Sequence, residues 1–162
     1  MDLGWMFPYL LFLHVLGAIV AFGPTFTFPF IGALGGSEPQ HANFATRVSN
    51  TLAHRLVYPI GITLPITGAA MILVRGYDLS SRDYWWLGLA IVLYVIAYGY
   101  AYFYQRRLVG QVIAMTSAPP PPGVSGPPPA LSALVKRIQR VGMATTLLLL
   151  AIIFLMVVKP TV

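Results

Sequence analysis

Three histidines and nine tyrosines are the side chains of this chain best suited to ligate a metal, hold a proton or hydrogen-bond a cofactor, and cysteine is absent. His14 is the most telling of them, because it sits inside the apolar run YLLFLHVLGAIVAF at 9–22. An ionisable group at membrane depth is costly and usually functional. Two chemistries are open to it: a neutral imidazole hydrogen-bonded to Tyr94, Tyr98 or a freed backbone carbonyl, or a metal ligand, above all an axial ligand of b-type haem. Tyr94, Tyr98 and Tyr102 recur at i, i+4 and i+8 and share one helical face. Tyr94 and Tyr98 lie deeper than Tyr102, so their hydroxyls need a partner in the bundle, in a cofactor or in a neighbouring subunit. His14, Tyr94 and Tyr98 are therefore the candidate cofactor-binding residues, with His14 the candidate metal ligand.

A haem clamped by His14 and His54 fails on depth. His14 lies in the outer half of the first apolar stretch, whereas His54 precedes the second at the opposite boundary, which separates them by on the order of 20 Å or more along the membrane normal. His54, next to Arg55, reads as an interfacial residue, and His41 as a loop residue. The apolar stretches contain no carboxylate pair and no nucleophile with a base, so no catalytic residue is assigned and a hydrolase or ion pump is disfavoured.

The elements that position these groups follow from composition. Of 162 residues, 57% are hydrophobic and 9% charged. An ordinary soluble domain carries about 25% charged residues, so this chain cannot coat a water-soluble particle and reads as an integral membrane protein. A crossing needs about 20 mostly apolar residues, and four stretches supply them, at about 6–34, 56–74, 84–104 and 141–158. The first has no basic segment before it and no small-residue cleavage site in a polar context, so it is expected to remain as a helix. The fold class is all-α, a four-helix transmembrane bundle forming one domain over 1–162, with lipid as its solvent.

The net charge of +6 is explained by topology and not by nucleic acid. Arg47, Arg55, Arg106, Arg107, Lys136, Arg137 and Arg140 fall on one side of a four-pass chain. Arg75, Arg82 and Lys159 fall on the other, beside Asp2, Asp78 and Asp83. The positive-inside rule then places both termini outside and both long loops in the cytoplasm, where the basic groups meet lipid phosphates. Within the first loop, Ser37, Glu38, Pro39 and Gln40 resemble a capping box, and Phe44, Val48 and Leu52 mark an amphipathic helix leading into the second span. Helix continues past Arg107 after the third span, and the fourth helix begins before the membrane. Between them, the proline-rich connector at 118–129 favours extended polyproline II.

Several short motifs together resemble a known family. They are the opening Leu13, His14, Val15, Leu16 and Gly17 with Phe22, Gly23 and Pro29, Arg55 and Leu56 before a proline-containing second helix, Trp85, Trp86 and Leu87 opening the third, and Lys159 and Pro160 closing the fourth. The pattern is similar to the four-helix HemJ-type protoporphyrinogen oxidases and to related small bacterial integral membrane proteins. The resemblance implies a bacterial plasma membrane location and a haem-ligand role for His14. The lysine those oxidases carry in the third helix has no counterpart at 87–92, so what carries over is the fold and His14, more than the reaction.

Two functions follow. The first is a non-catalytic accessory subunit that packs through its helices against other membrane subunits. The alternative is a haem b or porphyrin protein, redox active in the HemJ manner, with His14 as ligand and Tyr94 or Tyr98 near the ring edge.

Overall fold

The computed structural model describes residues 3–118 and 126–160, and all the regular structure among them is helical. The expected polyproline II conformation of the connector falls largely on 119–125, outside the described residues. Four helical stretches are long and apolar enough to cross a membrane: Gly4–Ser37, Pro39–Arg75, Arg82–Met115 and Pro129–Val158. We call these spans 1 to 4.

Span 1 is built on α1 (Phe7–Ser37), which starts with a proline in its first turn, where a missing amide costs nothing. Pro24 and Pro29 lie inside it. Nearby, the hydroxyl of Thr25 donates to the Phe22 carbonyl at 2.6 Å and that of Thr27 to the Pro24 carbonyl at 2.8 Å. The Ser37 hydroxyl also turns back, to the Leu34 carbonyl, so it finishes α1 and does not cap the next helix as the capping-box pattern implied. Glu38 instead meets His41 at 2.8 Å.

Span 2 is one helical run made of α2 (Ala42–Leu52), a π-helical turn at Ala53–Val57, and α3 (Tyr58–Arg75). The amphipathic segment thus continues directly into the membrane helix. The wide turn ends just ahead of Pro59, which has no amide to give to a carbonyl four residues back. At the far end Gly76 adopts φ +66°, a conformation that suits glycine, and the Tyr77 amide closes the helix on the Ile72 carbonyl at 3.2 Å.

Span 3 repeats the plan, with α4 (Trp85–Gly99), a π-helical turn at Tyr100–Gln105 and α5 (Arg106–Met115). Span 4 is the single helix α6 (Pro129–Val158), which ends where Lys159 takes a left-handed conformation before Pro160. At about 1.5 Å per residue all four exceed the roughly 30 Å hydrocarbon layer, so helix projects beyond it.

Spans 1 and 2 pack antiparallel, and so do spans 3 and 4. The first pair touches closely at Gly17, where an added Cβ would stand 3.2 Å from Leu64 Cδ2. In the second pair Trp86, Leu87, Ala90 and Leu155 form a buried cluster. Trp86 turns inward and is only 5% exposed, while Trp85 stays on the surface. Adjacent residues on a helix point about 100° apart, so one of the two can face the neighbouring helix while the other stays outside. Beyond the membrane α2 leans on α5, where the Asn43 amide donates to the Ile113 carbonyl at 3.2 Å and to the Thr116 hydroxyl at 2.9 Å. That contact ties the loops following spans 1 and 3 to one end of the bundle.

Candidate functional site

Helix α1 turns His14, Gly17 and Ala21 toward span 2, because three- and four-residue steps keep side chains on one face. The small residues let the two backbones approach, and the half-buried imidazole packs against Gly68 between them. His14 Nδ1 lies 2.8 Å from Thr67 Oγ1. The Thr67 hydroxyl also stands 3.0 Å from the Thr63 carbonyl and 3.1 Å from the Leu64 carbonyl. A hydroxyl has one proton, and carbonyls can only accept it. Thr67 therefore donates to its own helix and accepts from His14, which assigns the ring proton to Nδ1 and leaves the lone pair on Nε2. Gly68 supplies the floor: a Cβ there would come within 3.4 Å of His14 Cε1.

The tyrosines do something different. Pro65 cannot donate to the carbonyl four residues before it, which is that of Gly61. Tyr94 takes that place, its hydroxyl donating to Gly61 O at 2.5 Å. One turn further along span 3, the Tyr98 hydroxyl donates to the Tyr58 carbonyl at 2.9 Å. The Tyr58 hydroxyl in turn reaches the Ala101 carbonyl at 3.3 Å. Rings stack in the same direction, Tyr94 on Tyr98 with centroids 5.8 Å apart and Tyr98 on Tyr102 at 6.1 Å. Tyr58 meets Tyr102 edge-on at 5.3 Å, and His54 meets Tyr58 edge-on at 5.2 Å. At the upper end Phe22 of span 1 leans on Tyr94, centroids 6.4 Å apart. An aromatic column thus fills the seam between the two helix pairs.

The three expected site residues do not converge. His14 sits at the level of Thr67, whereas the Tyr94 and Tyr98 hydroxyls sit at Gly61 and Tyr58, about 9 Å or more lower along α3 at its ordinary rise. His54 belongs to the column, with Nδ1–H donating to the Asn50 carbonyl at 2.9 Å. It is thirteen residues before Thr67 on one continuous helix, or about 20 Å from the His14 level. Among the described residues no group of three or more histidine, cysteine, aspartate or glutamate side chains is placed to hold a metal ion. The sequence reading did not join Thr67 or Gly68 to His14. It missed Gly61, whose position four residues before Pro65 was the available signal.

The chain belongs to a family described as predicted integral membrane proteins (DUF2269), whose family model matches residues 8–160. No curated protein and no solved structure matches it.

Proposed function

We propose, on the premise that this is an integral membrane protein of that family, that it is a non-catalytic subunit which packs through its spans against other proteins of a larger membrane assembly. The observation that carries this reading is how little of the apolar surface the chain covers by itself. In the most apolar stretches of spans 1 and 2 only 11% of residues are buried. Small residues open that surface to close approach, since an added Cβ at Gly23, Gly32, Gly36, Gly88 or Gly99 meets nothing within 4 Å. Meanwhile Asn43, Tyr58, Tyr94, Tyr98 and the His14–Thr67 pair use their hydrogen bonds to hold helices together. The test is photo-crosslinking from exposed positions on two spans, Phe30 and Val95, in intact membranes. Crosslinks to other polypeptides support the reading; adducts with lipid alone at both positions overturn it.

The haem alternative keeps one specific support. With Nδ1–H held by Thr67, His14 has Nε2 free for a metal, in an orientation fixed by the partner of its other nitrogen, as metal-binding imidazoles usually have. Such a group would supply redox or ligand chemistry at His14, and this chain offers no second histidine at that depth.

A further inference from the structure

Span 3 leaves the membrane through YAYFYQRR at 100–107. There Tyr102, Phe103, Arg106 and Arg107 line an open groove of about 390 Å³. The Arg106 guanidinium lies 5.4 Å from the centroid of the Tyr102 ring, which is itself held by Tyr58 and Tyr98. Stacking on an aromatic face uses the flat side of a guanidinium and leaves its N–H edge for oxygen ligands. Phe103 is 66% exposed and forms an apolar lip of the groove. Arg137 of span 4, over Tyr104 at 5.2 Å, adds a third guanidinium at the same end.

Among the described residues these charges have no carboxylate partner. Of the three carboxylate side chains among the described residues, Glu38 is paired with His41, and Asp78 and Asp83 lie at the opposite end. Among the described residues, the His41–Glu38 contact is the only ion pair. We propose that this groove binds the headgroup of an anionic phospholipid, with Arg106 and Arg107 on the phosphate oxygens and Phe103 and Tyr102 against the glycerol and upper acyl chain. A zwitterionic headgroup brings its own cation to the phosphate, so two unpaired guanidiniums select for net negative charge. Each basic group near an anionic surface contributes enough that two together give about a thirtyfold preference.

Native mass spectrometry of the full-length protein in neutral detergent, titrated with dioleoyl phosphatidylglycerol or dioleoyl phosphatidylcholine, tests this. Wild type should retain the anionic lipid with about thirtyfold preference, R106Q/R107Q should lose most of it, and R82Q at the other end should not change it. Equal retention of the two lipids by wild type, or an undiminished preference in R106Q/R107Q, overturns the proposal. Full displacement by inorganic phosphate also overturns it, since the site would then recognise a free anion. Should the double variant not fold, wild type in about 1 M NaCl decides: the preference must collapse, and its persistence contradicts the charge-based groove.

Discussion

The hydroxyl of Tyr94 occupies the carbonyl of Gly61, the one left without an amide by Pro65, and so a break within span 2 is mended by a side chain of span 3. Gly61 is also where the two backbones could not tolerate a methyl group, since a Cβ would stand 2.7 Å from Tyr98 Cε2.

Two substitutions separate the hydrogen bond from the packing. Tyr94→Phe should cost about 1 kcal/mol, the usual worth of an interhelical hydrogen bond in a membrane protein. Gly61→Ala should cost about 1–3 kcal/mol, because it forces the whole tyrosine column to shift. Equilibrium unfolding in mixed detergent micelles measures both; a Gly61→Ala protein as stable as wild type would contradict the column.

Absorption spectra of the purified protein, oxidised and reduced, decide between the two functional readings. The subunit reading expects a folded, colourless protein. A Soret band lost in His14→Ala and kept in Tyr94→Phe would instead establish the haem alternative, because only the imidazole carries a free ring nitrogen.

Outside the membrane, the Asp78 carboxylate accepts from the Ser80 hydroxyl at 2.6 Å and the Ser80 amide at 2.9 Å, and these bonds hold its pKa below the ordinary value. A group depressed in the folded state contributes fully above its unfolded pKa, about 4, and loses that contribution as pH falls through the lower folded value. Carboxyl-carbon NMR titration should therefore give a midpoint below that of a free aspartate, rising toward it in Ser80→Ala. An unchanged midpoint would remove the assigned cause.

Orientation is open to direct labelling, because the chain has no cysteine to remove. A cysteine at Ser117 should react with a membrane-impermeant thiol reagent only after the cells are opened, and one at Ser80 from outside intact cells. The reverse pattern would invert the topology drawn from the basic residues.

Much of this arrangement can be read before any coordinates. The four apolar stretches identify themselves by length, and the depth of His14 and the shared face of Tyr94 and Tyr98 follow from helical rise and period. The pairing of His14 with Thr67 does not follow, because span 1 is apolar around its whole circumference and nothing in its pattern says which side turns to span 2. Gly17 marks that side only once Leu64 is seen against it. The amphipathic segment was expected to lead into the second span; what its pattern does not show is the π-helical turn just before Pro59 through which the helix runs on. Tryptophan at a span end is usually interfacial, yet one residue of helical rotation beyond Trp85 carries Trp86 into the core.

The central claim is that this chain works as part of a larger membrane assembly, and its most direct test is the mass of the complex after mild extraction from native membranes into nanodiscs. The account predicts a particle containing the 17.7 kDa chain together with at least one different polypeptide in fixed ratio. A lone monomer, or copies of this chain alone, would contradict it.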